Sequence, residues 1–564
     1  MRHHTATSCA AALLSVLTIA LGGCGADPVV IPPASEPGSA TDGTVRIATR
    51  GAPDSLNPGN GLLAESYDLY ELVYDTPIAL TADGDYVPEL ATSWEVSEDG
   101  LTWTLEIVDG AMFHDGTPLT SEDIKYTLEL YRDTTDFPYM PSYPDVFSAI
   151  EAPSPTELVI TTEEPVGNFE SRMLFMYVLP KHIWEEQDDP IRFVNAEMVG
   201  SGPFELTDFE QGTSIELDAN PTYWNGRPNI DSIIFQTFED PDARVEALTN
   251  GDVDMITEFP ATALGALRDA ANVEVHVADR TSGRLTDVFF NVVDPADCPT
   301  DAGGLCTGHP ALRDIAVRRA LALAMDKRQI VDVALLGLGS PGLSLVPPGL
   351  GEWYASDVED YAFDVGAANA MLDEAGYEDS DDDGIRECQP DQDCPTGDLT
   401  FRFMYPADTD TGARESELIG AMWAQVGVRI QIQGLDPETL TSVCCPTFDY
   451  DVIRWGWTSD PDPAFLLGLA LCDEISTGLS ETGYCNPEFD DLYAQQAVET
   501  DHDARVEQIH EMQRILVDDV PYIVPYYSQS LQAYRTDRFT GWLLAEPTLG
   551  LQDVGSLVAI RPVE

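Results

Sequence analysis

Two hydrophobic periods interleave along this chain from end to end, and neither dominates. Apolar residues alternate with polar ones at Trp103, Leu105 and Ile107, at Leu399, Phe401, Phe403 and Tyr405, and at Val428, Ile430 and Ile432, which is the pattern of half-buried strands. A helical period runs through Leu312, Ile315, Ala316, Ala320, Leu323 and Ala324, opened by Pro310 in a permitted first-turn position. Another runs through Val506, Ile509, Met512 and Leu516 and stops before Pro521. No unit repeats at a fixed spacing, so an α/β architecture is expected rather than a propeller or a solenoid. At 564 residues the chain exceeds what one core supports, since cores stop growing at roughly 250–300 residues. Two or three domains are expected.

Charge narrows the partners. Against 28 Lys and Arg stand 99 Asp and Glu, a net charge of -71, and nucleic acid is excluded as a partner because phosphate binding needs a surplus of cations. With 20 Phe, 21 Tyr and 9 Trp the chain nevertheless carries far more core-forming residues than an acidic disordered segment.

The N-terminus reads as an address. Residues 1–23 join Arg2 to an apolar run, Ala10 to Leu21, too short for a membrane span of about 20 residues, and form a signal peptide. The run ends in Leu21-Gly22-Gly23-Cys24, which resembles a bacterial lipobox and implies lipidation of Cys24. Residues 24–43 read as a tether, rich in Pro, Gly, Ala and Ser. The expected location is the outer face of the cell membrane, held there by the lipid anchor. Eight cysteines then remain, an even number that reads as disulfides outside the cell. Cys298 with Cys306 and Cys388 with Cys394 are close neighbours across turn-rich loops. For Cys444, Cys445, Cys472 and Cys485, a vicinal bridge plus Cys472–Cys485 competes with two crossed bridges. No CxxC pair or adjacent histidines favour zinc.

Longer motifs carry a resemblance. Residues 94–103 (Trp94-Glu95-Val96-Ser97-Glu98-Asp99-Gly100-Leu101-Thr102-Trp103), followed by the turn beginning Phe113-His114-Asp115-Gly116-Thr117, resemble the signature of the extracellular solute-binding protein family 5. That group binds peptides and oligopeptides for ABC transporters. In family order follow Gly200-Ser201-Gly202-Pro203-Phe204, Asn220-Pro221-Thr222-Tyr223-Trp224, Asn250-Gly251-Asp252-Val253-Asp254, the segment Val317 to Asp326, and Asn486-Pro487-Glu488-Phe489-Asp490. The resemblance spans roughly residues 44–545. It implies a periplasmic-binding-protein-like type II α/β fold, with two lobes about a hinge built from three domains. A discontinuous domain I is expected at 44–85, 200–290 and 535–564, an inserted domain II at 86–199, and domain III, the second lobe, at 291–534. It also implies a monomeric receptor, not an enzyme, that closes on a peptide and delivers it to a permease.

The resemblance also implies site residues. Arg454-Trp455-Gly456-Trp457-Thr458-Ser459-Asp460 is similar to the family's peptide-binding strand and loop. Gly456 and Trp457 match the strand that pairs with the ligand backbone, Asp460 the aspartate that accepts its ammonium, and Arg454 the arginine that meets its carboxylate. Main-chain pairing gives affinity without sequence preference, and a carboxylate on an ammonium fixes register. A turn-forming role for Asp460 in the Asp-Pro-Asp-Pro loop is the lesser alternative, and Asp462 competes for the ligand role. Trp455 and Trp457 flank Gly456 and face one side, as core or as ligand platform. Gly61 to Ala64, with Leu62 and Leu63, resemble the opposite wall of the cleft.

Asp379, Asp381, Asp383 and Glu387 stand at positions 1, 3, 5 and 9 of a loop with Gly384 at position 6, the front half of a calcium loop. Position 12 is Pro390, so the expectation is divided evenly between a structural calcium and a solvated acidic turn, with no other cofactor required. Gly337-Leu338-Gly339-Ser340-Pro341-Gly342 matches a dinucleotide fingerprint in letters only, since no helix opens after it. His114 has no second histidine at ligand spacing and reads as structural. Two other functions stay in view. The same fold takes other solutes, such as an oligosaccharide stacking on the tryptophans, and an extracellular hydrolase is disfavoured by the lack of GxSxG and HExxH.

Overall fold

The computed structural model describes residues 43–81, 84–278, 283–389, 394, 397–407, 409, 411–543 and 552–563. Cys24, the run before it and the tether up to residue 42 lie outside these. Among the described residues no helix is long and apolar enough to cross a membrane.

Two sheets organise the chain. The first has seven strands in the order Val273–Val277, Leu531–Arg535, Met255–Ile256, Thr44–Thr49, Ser232–Thr237, Ser214–Ala219, Phe204–Glu210. Its central strand Thr44–Thr49 runs parallel to both neighbours, and accordingly Val45, Ile47 and Ala48 are all buried, as strands covered on both faces are. A four-stranded antiparallel sheet, Ala91–Val96, Thr102–Ile107, Glu157–Thr162 and Phe147–Ser154, shares an apolar core with that first sheet, in which Val45 and Ile47 meet Leu105 and Ile160. The second sheet has six strands in the order Gly339–Pro341, Tyr522–Ser528, Arg284–Phe290, Val452–Thr458, Thr400–Pro406, Arg429–Leu435. Separate cores cover its two faces, one around Val288 and Trp423 and the other around Phe289 and Ile453. The expected helix after Pro310 is a short 3-10 turn running into Ile315–Leu323, and the later one is His502–Asp519.

The chain crosses between the two sheets after Val277 and after Ser528. The crossings are tied together, with Ala278 N–H donating to the Ser530 carbonyl at 3.1 Å and Gln529 Nε2 to the Ala278 carbonyl at 2.8 Å. Two adjacent crossings are the form a hinge takes. Both fall earlier than the expected boundaries at 290 and 534, because Arg284–Phe290 belongs to the second sheet and Leu531–Arg535 to the first. Period-two alternation marks a strand but carries no information on which sheet receives it. The run at Val428, Ile430 and Ile432 is also less buried than expected. It forms an edge strand with one neighbour, and Ile432 stays 41% exposed.

The family-like motifs are mostly scaffold. Asp75 is buried and accepts hydrogen bonds from Ser201 Oγ (2.7 Å), Tyr223 OH (2.8 Å) and Trp224 Nε1 (3.0 Å), drawing two motifs together. A Cβ on Gly200 would lie 1.9 Å from the Val73 carbonyl oxygen, so only glycine fits. The helix Pro241–Asn250 is capped by Asp240 and ends at Gly251 with φ 84°, the left-handed stop that glycine adopts without strain. Arg318 is buried and donates to the carbonyls of Leu312, Arg313, Asp519 and Val520. His114 accepts from Gly200 N–H at 3.2 Å and meets the Gly202 carbonyl at 3.0 Å. Burial pushes its imidazole down to about 4, so it is neutral and structural. The segment Gly339–Pro341 pairs with Tyr522–Ser528 as a short edge strand.

All four disulfides form among the eight cysteines, as Cys298–Cys306, Cys388–Cys394, Cys444–Cys445 and Cys472–Cys485. The vicinal arrangement is therefore the one adopted.

Candidate ligand-binding cleft

The strand Val452–Thr458 pairs along its whole length with Arg284–Phe290. On its other side Thr400–Pro406 reaches it only at Val452 and Ile453. From Arg454 onward the strand carries an edge that no described strand pairs, and such an edge offers main-chain donors and acceptors to an extended ligand. Gly456 is exposed and leaves room for close backbone approach. Its own Cβ position lies 3.0 Å from the Leu285 carbonyl oxygen.

Side chains alternate about this strand. Arg454 points into the core, where Nε meets Glu415 Oε2 at 2.8 Å and Nη2 donates to Tyr526 OH at 2.9 Å. Both members of this ion pair are buried, at 7% and 2% exposure. The expectation that Arg454 meets a ligand carboxylate is therefore corrected: its guanidinium already has partners, and the residue that removes it from the cleft, Glu415, lies on the distant helix Gly412–Trp423. Trp455 and Trp457 do face one side. Together they line a cavity of about 140 Å³, with Phe289, Ile453 and Phe465, closed on one side by the Cys444–Cys445 bridge. They serve as pocket wall, half-buried and not fully core.

Asp460 follows the strand, its loop fixed by Ser459 N–H donating to the Gly283 carbonyl at 2.8 Å. The carboxylate receives one hydrogen bond, from Tyr143 OH at 3.3 Å, and Tyr143 precedes the strand Phe147–Ser154 of the four-stranded sheet. No described cation contacts it. Burial pushes the Asp460 carboxyl up to about 7, with the Tyr143 hydroxyl opposing and the charge of Asp462 adding. Asp462, its competitor, is fully committed: Arg505 holds it through two bonds of 2.6 and 2.8 Å, and Ala464 N–H adds a third at 2.9 Å. Of the two aspartates, Asp460 alone is left with unused acceptor capacity beside the open strand edge.

The segment expected to face the strand is organised by Asp54. The helix Ala64–Val73 has no cap from its own first residue; instead the Asp54 carboxylate accepts from the N–H groups of Leu62 (3.0 Å) and Leu63 (3.0 Å) and from Ser66 Oγ (2.7 Å), satisfying donors that a helix start leaves unpaired. Leu62 and Leu63 are thereby held 53% and 48% exposed. Tyr67 stands on the same helix, in ring contact with Phe175, which in turn contacts Tyr143. Among the described residues the lobes touch through Tyr143 with Asp460, the rings of Tyr139 and Phe465 at 6.2 Å, Gly167 N–H on the Ala497 carbonyl at 2.8 Å, and the ion pair of Arg284 with Glu258 at 3.7 Å.

Sequence reasoning missed Asp54, Tyr139, Tyr143, Asp287 and Glu481. Only the loop Tyr139-Met140-Pro141-Ser142-Tyr143-Pro144 carried a signal, two tyrosines on a proline-ordered turn. In the acidic loop Asp379, Asp381 and Glu387 converge, with oxygens within 4.8 Å of one another. Asp383 departs from that expectation, turning its carboxylate to Ile385 N–H at 2.8 Å.

Comparison with known proteins places this geometry. A dipeptide-binding protein of Escherichia coli (strain K12) is 25% identical over 529 residues, covering 88% of this chain and 91% of the relative. The oligopeptide-binding protein AppA from Bacillus subtilis, solved in complex with a nonapeptide, superposes with a TM-score of 0.78 at 21% identity, over 93% of this chain and 100% of that one. NikZ from Campylobacter jejuni, in complex with Ni(L-His), superposes at 0.79 with 20% identity, over 92% and 99%. The fold is that of the type II periplasmic binding proteins. The profile described as bacterial extracellular solute-binding proteins, family 5 Middle, matches residues 85–476. The chain thus belongs to the extracellular solute-binding proteins of family 5, which are receptors for solutes and not enzymes.

Proposed function

We propose that this protein is a lipid-anchored receptor that takes peptides by their amino end into the cleft between its lobes and hands them to an ABC importer permease. The observation that supports this reading is Asp460: a carboxylate without a cationic partner, at the end of a strand whose edge is unpaired, beside an Asp462 already held by Arg505. The strand edge takes the peptide backbone, and Asp460 takes the ammonium in a charge-assisted bond. The facing wall of Leu62 and Leu63 covers the ligand on closure. Asp379, Asp381 and Glu387 would hold a calcium ion away from the cleft, an all-oxygen set suited to a hard cation, whose role is to order the loop; a thermal melt raised by calcium and lowered again by EDTA is expected.

The test is calorimetric titration of the mature protein with tripeptides and with their N-acetylated forms. Binding of free-amine peptides and loss of binding on acetylation support the reading. Equal affinity for both would overturn it. Fractionation of cells carrying Cys24→Ser tests the anchor: the variant is expected to leave the membrane fraction.

A further inference from the structure

The cavity behind Trp455 and Trp457 has a floor that neither the strand edge nor Asp460 uses. In the register between Arg284–Phe290 and Val452–Thr458, Phe289 lies opposite Ile453, Asp287 opposite Trp455 and Leu285 opposite Trp457. Residues directly opposite one another project from the same face. Asp287 therefore sits on the cavity's side of the sheet, between two residues of the surrounding apolar core. It is 0% exposed, and among the described residues neither carboxylate oxygen has a hydrogen-bond partner. Glu481 lines the cavity itself and is 6% exposed. Its Oε1 accepts from Trp457 Nε1 at 3.0 Å, while Oε2 has no partner. Three acceptor oxygens of two buried carboxyls thus lack donors in one place, which a folded chain rarely tolerates without a ligand or a function.

The surroundings decide what would satisfy them. Arg454, the cation whose charge Asp287 feels, is on the opposite face and bonded to Glu415 and Tyr526. Tyr450 gives its hydroxyl to the Glu481 carbonyl, and the Tyr522 hydroxyl lacks a partner of its own. The walls are apolar or aromatic, and Tyr139 from the other lobe stands at the mouth. At about 140 Å³ the cavity is far smaller than the roughly 300–1,000 Å³ sites that take whole drug-sized molecules, and is of side-chain scale. A calcium or magnesium ion would need six or more oxygens, which these walls do not provide. An apolar stem carrying a cation at its tip matches every part, with the tryptophan faces adding cation–π attraction. Burial raises both carboxyls, Asp287 to about 7 and Glu481 well above its ordinary value, where the charge of Asp287 adds.

We propose that this cavity is a side-chain subsite for a cation, receiving the ammonium or guanidinium end of a lysine- or arginine-like side chain of the ligand past Trp455 and Trp457 onto Glu481 and Asp287. The inference rests on the peptide reading above. It makes the receptor selective for basic peptides, where main-chain pairing alone would be indifferent to side chains.

The test is titration of the wild-type mature protein with tripeptides that carry lysine, in turn at each position, and with the same peptides carrying norleucine, which keeps the stem and deletes the charge. One lysine position is expected to bind roughly ten-fold or more tighter than its norleucine partner. That advantage should collapse toward unity in Glu481→Gln and in Asp287→Asn, both nearly isosteric. Equal affinity of every lysine and norleucine pair in the wild type would overturn the proposal, as would an advantage that survives in the folded Glu481→Gln protein. If norleucine peptides bind through their free amine and lysine adds nothing, the subsite alone fails. If acetylation of the norleucine peptides changes nothing, the amino-end reading fails instead.

Discussion

Replacing Asp460 by Asn should convert a pH-gated receptor into a weak and ungated one. With Tyr143 donating to it and the charge of Asp462 nearby, burial holds this carboxyl up to about 7. A peptide ammonium needs the ionised form, so binding must displace a proton below that pH. Affinity is then expected to fall toward ten-fold per unit as the solution is acidified below about pH 7. Above about pH 8 it falls again, because an unperturbed α-amino group loses its proton near 7.7–8.0. Binding peaks in the narrow window between. A charge-assisted bond contributes about 1.5–3 kcal/mol, so Asp460→Asn should weaken binding roughly ten- to hundred-fold at pH 7.5 and flatten the acid limb. The folded protein itself responds with the opposite sign. A carboxyl raised above its unfolded value of about 3.9 supplies stability that is complete below that value and is lost as pH rises through about 7. Asp460→Asn should therefore melt no lower than wild type at pH 8, which separates lost binding from lost folding. Calorimetric titration from pH 5.5 to 9 with thermal melts reads both. An acid limb that persists unchanged in Asp460→Asn would refute the reasoning.

The other predictions concern the groups around it. Tyr143→Phe removes the hydroxyl that holds the Asp460 carboxyl down, so the acid limb should move to higher pH; a shift downward, or none, in the same titration contradicts the assignment. Breaking the buried Asp462–Arg505 pair with Asp462→Ala should cost about 3–5 kcal/mol, because the remaining charge is stranded; urea unfolding showing a loss under about 1 kcal/mol would count against it. Since Arg454 is committed to Glu415 and Tyr526, amidating a peptide's carboxyl end should change affinity less than acetylating its amino end, and the reverse order would return Arg454 to the cleft.

What the chain discloses on its own is local. The strand Thr102–Ile107, with Trp103, Leu105 and Ile107 buried in alternation, and the end of the helix His502–Asp519 before Pro521 follow from backbone sterics and periodicity within a few residues. Asp460 stands out as a candidate because a motif surrounds it. The two outcomes that escaped are both matters of which distant partner a local element meets. Arg454 reads as a ligand contact until the helix Gly412–Trp423 brings Glu415 against it. Asp287 lies in a strand with Leu285, Val288, Phe289 and Phe290, and Glu481 in a loop; only the sheet register puts Asp287 on the face where Glu481 lines the cavity. Neither Arg284–Phe290 nor Leu531–Arg535 announces its sheet, so the expected boundaries at 290 and 534 each lie one strand beyond the crossing between sheets.

The division of chemistry between the lobes sets the order of events in the cleft. One lobe presents hydroxyls and apolar surface, from Tyr67, Tyr139, Tyr143, Leu62 and Leu63, its Asp54 being already engaged by Leu62, Leu63 and Ser66. The other presents an unpaired strand edge and carboxyls without cations, Asp460 and Glu481. On the proposed function a cationic ligand would be met first by the second lobe, where the unpaired strand edge and Asp460 lie. Closure then brings Tyr143 onto Asp460 and Tyr139 toward Phe465, and in doing so takes the carboxyl out of water. That step is penalised while the carboxyl is ionised and alone, and it is relieved when an ammonium closes with it. Ligand shifts a two-state equilibrium only through such differential contacts. A neutral ligand of the same shape leaves the penalty in place, so the charge it carries, more than its size, decides how far the lobes stay together.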